Sequence, residues 1–352
     1  MKKNYYLVPI LLYGPNNQFS GLLEGAAIAK LTNRTLVVPR FFGRWYRDNA
    51  SAATASFDDV FDLAALAAYV DVSRAEDVQY AAALLAAPVP KDRLRHAMAL
   101  IPLPCCPSRK LEPPLRSHSR ATAVAKALDV SATFVAIAPL FVLDGERRVL
   151  VEAAKFRVRA PEIRALAAKA EARFFGTDDR VLAVHVRRES TDLGCDDRRR
   201  YVVCPRPRDR IETSEILAAI AASAREVGAT SVYIAHAPNG PPDLRGERDE
   251  LLAALQQNHS ISARSASRGD EMRRATRTQG LDPFRISLIE QEICATAYAF
   301  LPSARSTWSA TVTFDREARH RRVLQPIDDL ATTRRRRRRR RRSVPQNHRV
   351  VY

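Results

Sequence analysis

Several signatures that would fix the chemistry of this chain at a glance are missing from it. No apolar run is long enough to span a membrane. There is no Asp-x-Asp pair to hold a metal-bound diphosphate, no Gly-x-Ser-x-Gly elbow and no Walker loop. The histidines are scattered, and Cys105, Cys106, Cys195, Cys204 and Cys294 do not have zinc-site spacing. Asp58-Asp59 and Asp196-Asp197 are adjacent pairs. Neighbouring residues on a helix or strand do not share a face, so these read as solvated charge rather than joint ligands. In an oxidising compartment Cys195 and Cys204 are spaced to close a short loop as a disulfide; otherwise all five thiols stay free.

What the chain does contain is a globular composition. Of its 352 residues, 46% are hydrophobic, enough for one large or two ordinary domains. The formal net charge is +18, and it falls to +9 without the nine arginines of Arg334 to Arg342. A balance this basic suits a phosphorylated substrate, nucleic acid or an anionic surface and does not choose among them. "YYLVPILL" (5–12) follows Met-Lys-Lys as a signal peptide would. It lacks a small-residue cleavage site and runs into a turn at Gly14, so it reads as a first buried strand.

That strand opens a pattern. Gly14-Pro15-Asn16-Asn17-Gln18 reads as a polar turn, followed by a helix with Phe19, Leu22, Leu23, Ala26 and Ala27 on one face. Asn33-Arg34-Thr35 then turns the chain into the strand Leu36-Val37-Val38. This is a β-α-β unit, the seed of a parallel sheet. Residues 50–100 are Ala-rich and read as mostly helical, 101–120 as a loop, and "FVAIAPLFVL" (134–143) as a strand. In the second half, helix 160–175 leads to the strand "RVLAVHVRR" (180–188). A helix capped near Thr213 or Ser214 and stopped by Gly228 leads to the strand "SVYIAHA" (231–237). Residues 239–282 read as irregular, "RISLIEQEICATAYAFL" as a helix and strand, and a last helix starts near Ser306. Two such halves predict an α/β fold of two Rossmann-like domains facing a cleft. The expected boundaries are 1–150, 151–330 and a disordered Arg-rich tail over 331–352.

Three places offer groups for an anion. Asn16 and Asn17 precede a helix, where amide groups either cap the helix or bind phosphate. His185 and Arg187 share one face near the end of their strand. In open parallel sheets that end borders the ligand crevice, and a guanidinium there can grip a phosphate with two hydrogen bonds. Arg187 and Arg188 equally suit a strand emerging into water. Ser306-Thr307-Trp308-Ser309 is a hydroxyl cluster at a helix start, which serves as a cap or as an anion site.

Three segments in this order resemble the GDP-fucose protein O-fucosyltransferase family. They are "YGPNNQFSGLLEGAAIAKLTNRTLVVP", "VLAVHVRR" with its His-x-Arg, and "IEQEICATAYAFLPSARSTWSATVTFDRE" with its Ser-Thr-aromatic-Ser core. "FDDVFDLAAL" and "SVYIAHA" fall where that family has related segments. The resemblance spans roughly residues 5–325. It implies a GT-B architecture and metal-independent, inverting transfer of fucose from GDP-fucose to a Ser or Thr hydroxyl, usually on a small disulfide-bonded domain. It also implies work in the endoplasmic reticulum or Golgi lumen, although no signal peptide is expected in "YYLVPILL".

By position, the resemblance makes Asn17 the asparagine near the reacting centre, with Asn16 beside it in the donor site. Arg187 becomes the arginine on the diphosphate, and His185 the histidine on the nucleotide. Ser306 and Thr307 become phosphate-binding hydroxyls, and Trp308 the aromatic beside them. Asn17 and Arg187 are the catalytic candidates, and no metal or other cofactor is expected. The chain departs from the family at Tyr13-Gly14-Pro15, where some members have Arg or Glu, so an N-terminal carboxylate base is absent. It departs again at His236-Ala237, where the segment usually ends in Thr-Asp or Ser-Asp. Two other readings stand beside the enzyme. One is a catalytically inactive sugar-nucleotide-fold binding protein. The other is a nucleic-acid-binding protein acting through the Arg run, which would bind phosphates with steep salt dependence.

Overall fold

A computed structural model describes residues 5–11, 14–42, 54–78, 120–128, 134–137, 143, 145–187, 212–236, 242–266, 270–304, 306–327 and 329–330. The disulfide candidates, Arg188, Ala237 and the Arg run lie outside these residues. The chain divides into two compact units, Met1–Ala165 with Phe314–His320, and Leu166–Thr313 with Arg321–Tyr352.

The first unit is built on a parallel four-stranded sheet. Its strands are β1 (Tyr6–Pro9), β2 (Thr35–Val38), β5 (Val72–Arg74) and β6 (Phe134–Ile137), in the order β5-β2-β1-β6. Tyr6 pairs with Thr35 on one side and Phe134 on the other. Helix α1 (Pro15–Leu31) connects β1 to β2. It starts at Pro15, whose fixed φ and missing N–H suit a first helical position, and Gly14 precedes it without a side-chain cap. The expected polar turn is therefore the first turn of the helix. At the other end Asn33 takes φ 50°, and the N–H groups of Asn33 and Arg34 close back onto Lys30 and Ala29. That left-handed asparagine stops the helix and aims the chain into β2.

The expected single apolar face of α1 is a correction: every residue from Gln18 to Ala29 except Ser20 is buried, Glu24 included. A central helix packed on several sides carries no clean amphipathic stripe. Phe19 meets Phe41 and Phe61 edge to face at 5.4 and 5.3 Å between ring centres. Phe41 and Phe61 lie on β3 (Phe41–Phe42) and just after α2 (Phe57–Val60); β3 pairs antiparallel with β4 (Thr54–Ala55). Residues 54–78 were expected to be mostly helical. They form β4, α2, α3 (Leu63–Ala67), β5 and a 3₁₀ turn instead. Local capping explains the fragmentation. Ser56 and Asp59 make a reciprocal capping box, and Asp62 caps Ala65 only a few residues later. Asp59 is thus a cap, and its neighbour Asp58 pairs with Arg74 at 2.6 Å. Helices α4 (Ala121–Ala127) and α5 (Arg147–Ala154) pack on α1.

The second unit carries a parallel five-stranded sheet in the order β11-β10-β7-β8-β9. Its strands are β7 (Val181–Val186), β8 (Ser231–His236), β9 (Ser262–Arg264), β10 (Ala299–Leu301) and β11 (Arg322–Val323). Helix α6 (Pro161–Phe174) precedes β7 and α7 (Thr213–Val227) follows it. The cap of α7 is Glu212 with Glu215 in a capping box, one residue before the expected Thr213; Gly228 ends it at φ 63°. Leu182, Val184, Val186, Val232, Ile234, Leu251 and Leu301 form the core. The stretch 239–282, expected to be irregular, contains α8 (Pro242–His259), β9 and α9 (Asp270–Thr276). Their charged surfaces hide the periodicity, but Leu251, Leu255 and Met272 are fully buried. Helix α10 (Pro283–Thr296) leads into β10, and α11 (Thr307–Ala318) follows it. Among the described residues no helix is long and apolar enough to cross a membrane.

Candidate functional site

In each sheet the first strand lies between two later ones, and the chain reverses its direction of growth beside it. In the second unit β8 and β9 are added on one side of β7, while β10 and β11 are added on the other. The strands that follow β7 and β10 in the chain therefore lie on opposite sides of this adjacent pair. A parallel α/β sheet opens its ligand crevice at such a point, outside the carboxyl ends of the strands. Leu301 at the end of β10 is level with Val184 of β7, so the segments 185–187 and 302–307 leave the sheet side by side.

These segments bring together the predicted His185, Arg187, Ser306, Thr307 and Trp308. The Arg187 backbone N–H donates to Ser303 Oγ at 3.1 Å. The side chain of Arg187 is half-buried, and among the described residues no group hydrogen-bonds or ion-pairs with its guanidinium. His185 is 4% exposed, and its imidazole stacks on Trp308 with ring centres 4.2 Å apart and planes 24° from parallel. The indole Nε1–H of Trp308 donates to Ser287 Oγ on α10 at 3.0 Å. Ser306 is buried and its Oγ accepts the Ser309 N–H at 3.3 Å, so it caps α11. Thr307 is half-buried at the first turn. Four residues along, its carbonyl accepts the Thr311 hydroxyl at 3.0 Å. The start of α11 thus has backbone N–H groups and hydroxyls near the end of the strand that carries Arg187, and helix starts of this kind favour an anion.

The first unit repeats the logic. Its direction of growth reverses between β1 and β6, and the chain leaving β1 enters α1 at once. Asn16 and Asn17 are half-buried in the first turn of that helix. The N–H groups of Asn17 and Gln18 both reach the Gly14 carbonyl, at 3.0 and 3.1 Å, and Ser20 Oγ donates to the Asn16 carbonyl. Sequence reasoning missed the groups that brace this turn. Arg157 donates through Nη1 to the Phe19 carbonyl at 3.2 Å, and through Nη2 to Asp315 Oδ1 at 2.7 Å. Arg159 lies between the Phe19 and Phe61 rings, 5.0 and 4.7 Å from their centres. These arginines sit in a helix-to-helix connection, and only the long-range partner Asp315 distinguishes them from surface charge. Ser303 was missed as well, since a lone serine between a strand and a helix carries no pattern.

The expected departure at His236 falls at the end of β8, where His236 pairs with Val186; Ala237 lies outside the described residues. Among the described residues no group of three His, Cys, Asp or Glu side chains is placed to hold a metal ion, and Cys294 is buried and not in a disulfide.

None of the curated proteins matches the sequence. Among solved structures, POFUT1 in complex with GDP-fucose is similar, with a TM-score of 0.57 at 18% identity, covering 92% of this chain and 99% of that one. POFUT1 without ligand gives 0.59 at 17% identity, over 92% and 98% of the two chains. NodZ alpha-1,6-fucosyltransferase soaked with GDP-fucose gives 0.51 at 14% identity, over 88% and 92%. At such identities the likeness speaks to the fold, and it agrees with the expected class of two Rossmann-like units with parallel sheets. The family model described as GDP-fucose protein O-fucosyltransferase matches residues 11–319, which includes the start of α1, the end of β7 and the start of α11. With that match over most of its length, this chain is a fucosyltransferase that belongs to the GDP-fucose protein O-fucosyltransferase family.

Proposed function

We propose that the protein transfers fucose from GDP-fucose to a Ser or Thr hydroxyl of a protein acceptor, with inversion and without a metal ion. The observation that carries this reading is the start of α11 beside Arg187 at the reversal point of the second sheet. In the reaction the bond from the anomeric carbon to the β-phosphate oxygen breaks, and its electron pair leaves with GDP. The acceptor oxygen bonds to the opposite face of that carbon and gives up its proton to solvent water. Charge therefore grows on the departing phosphate. Without a metal it needs fixed donors, and losing one preorganised donor of this kind costs about 2.7–4 kcal/mol of transition-state stabilisation. Arg187 supplies a cation there; Ser306 and Thr307 supply hydroxyls at a helix start. The missing Asp-x-Asp motivates the metal-free step. Asn16 and Asn17 are assigned to GDP-fucose binding, with Asn17 near the reacting centre.

The test is calorimetric titration with GDP, followed by GDP release from GDP-fucose. Arg187→Ala should weaken GDP binding by about 1.5–3 kcal/mol, the worth of a charged hydrogen bond. Arg187→Lys should recover little, because a point charge does not reproduce the planar fork. The exposed Arg173→Ala on α6 serves as the control and should bind as wild type. Turnover should persist in EDTA. Wild-type affinity in Arg187→Ala would refute the phosphate assignment, and activity lost in EDTA and restored by manganese would refute the metal-free step. Tight GDP binding with no turnover on any acceptor would favour the sugar-nucleotide-binding alternative raised by His236-Ala237.

A further inference from the structure

In the first unit one buried arginine joins the beginning of α1 to a buried carboxylate. Arg157 and Arg159 are two residues apart in the connection between α5 and α6, and both guanidiniums reach Asp315. Backbone bonds pin that connection to the chain around Phe61. The Asp62 N–H donates to the Val158 carbonyl at 2.8 Å, and the Ala160 N–H to the Val60 carbonyl at 3.0 Å. From this fixed base Arg157 Nη1 donates to the Phe19 carbonyl at 3.2 Å, while Nη2 and Nε reach Asp315 Oδ1 at 2.7 and 3.3 Å. The Phe19 ring is held too, by the Arg159 guanidinium 5.0 Å from its centre and by Phe41 and Phe61 edge to face. Phe19 opens the second turn of α1, directly after Asn16, Asn17 and Gln18.

A buried ion pair is a poor source of stability, because apolar side chains of similar volume often stabilise the same site as well or better. What it supplies is direction. A guanidinium is a planar fork with donors at fixed angles, so it can serve two acceptors only in one orientation. A helical carbonyl has a second lone pair beyond the one its helix uses, and at Phe19 that pair is the anchor point. We infer that Arg157, with Asp315 as its counter-charge, is a positioning residue: it fixes the start of α1 and thereby the placement of Asn17 at the reacting centre. The effect on turnover rests on the function proposed above; the clamp on α1 does not. Asp315 keeps the fork in one orientation, and the fork sets where the helix begins relative to the connection at 156–160. Within α1 the restraint passes to the asparagines through short bonds. The N–H groups of Asn17 and Gln18 hold the Gly14 carbonyl, and Ser20 Oγ holds the Asn16 carbonyl.

The experiment compares the full chain with Arg157→Met plus Asp315→Leu, which replaces the pair by apolar side chains, and with Arg157→Lys, all well below their melting temperatures. Hydrogen exchange read by mass spectrometry should be faster over residues 15–23 in the double variant and unchanged in β7 and β8. Calorimetry should give wild-type affinity for GDP. GDP release from GDP-fucose should slow by up to about a hundredfold, the scale of displacing a reacting group by about 1 Å. Asn17→Ala should slow release as well, and adding it to the double variant should cost little more, because both act through one side chain. Arg157→Lys keeps the charge against Asp315 but loses the fork, so exchange over 15–23 should rise and release should stay slow. Wild-type exchange over 15–23 in the double variant overturns the clamp. Faster exchange with wild-type GDP release overturns the positioning role, and so does a loss that adds in full to that of Asn17→Ala or one matched entirely by weaker GDP binding. If the double variant does not fold, Arg157→Lys decides by the same two measurements. Wild type that releases no GDP from GDP-fucose counts against the proposed function, while the exchange measurement still decides the clamp.

Discussion

Replacing Asp315 by alanine should damage the first unit as much as truncating a large side chain of its apolar core. The carboxylate is 4% exposed and serves two buried guanidiniums. Arg157 reaches Oδ1 at 2.7 Å through Nη2 and at 3.3 Å through Nε, and Arg159 Nη2 stands 3.7 Å from Oδ2. Removing one partner of a buried ion pair costs about 3–5 kcal/mol, because the remaining charge is left in a poor solvent. Two cations lose their carboxylate here, so the upper part of that range applies. At about 2–4 °C per kcal/mol for a unit of this size, a loss of about 4–5 kcal/mol should lower the melting temperature by roughly 8–20 °C. Asp315→Asn should fall less, since an amide oxygen still accepts from Arg157. Arg157→Met with Asp315→Leu should recover part of the loss, as apolar replacement of both partners is often tolerated. Differential scanning calorimetry of these variants, and of Arg157→Met and Asp315→Leu alone, measures this. A drop of under about 2 °C in Asp315→Ala would refute the reasoning, and so would a double variant less stable than the sum of its single changes.

Glu171 on α6 has its carboxyl pushed above the usual range, chiefly by burial and then by Glu292, against the Thr296 hydroxyl bond that pulls it down. A carboxyl raised on folding binds its proton more tightly in the native state, so it stabilises at low pH. That contribution is lost as pH rises from the ordinary glutamate value through the raised one. Glu171→Gln should flatten the melting temperature across that window and leave neutral-pH stability equal or higher; a variant that keeps the wild-type pH slope would contradict this. Gly228 ends α7 at φ 63°, and an added Cβ would meet only Arg180 Nη1 at 3.6 Å. The cost of Gly228→Ala is thus backbone strain, about 1–2 kcal/mol by denaturant unfolding, and no measurable loss would mean the left-handed turn relaxes.

The sequence was most legible where local rules act alone. The β-α-β start, Gly228 as a helix stop and the apolar "VLAVHV" strand follow from backbone preference and burial on both faces, and each element stands where periodicity put it. The hydroxyl cluster and His-x-Arg were likewise visible as residue types at strand and helix ends. Elements failed where short-range and long-range terms compete. Residues 54–78 have helix-forming composition but are cut by successive caps at Ser56 and Asp62. The stretch 239–282 hides two helices because charged residues cover its outward faces while Leu251, Leu255 and Met272 are buried inward.

The sequence by itself determined that this is a parallel α/β protein with anion-seeking groups after its first strand, after "VLAVHV" and at Ser306. Only the tertiary structure decided which of those groups meet. Strand order brings 185–187 beside 302–307, although more than a hundred residues separate them, and it gives Asp315 to Arg157 across 158 positions. It also sorted neighbours in one tetrapeptide into a cap, a stacking ring and a hydroxyl 2.8 Å from His185 Nδ1. The physical reason is that backbone preferences act over a few residues, whereas hydrogen-bond partners and buried charges depend on which strand ends the sheet makes adjacent.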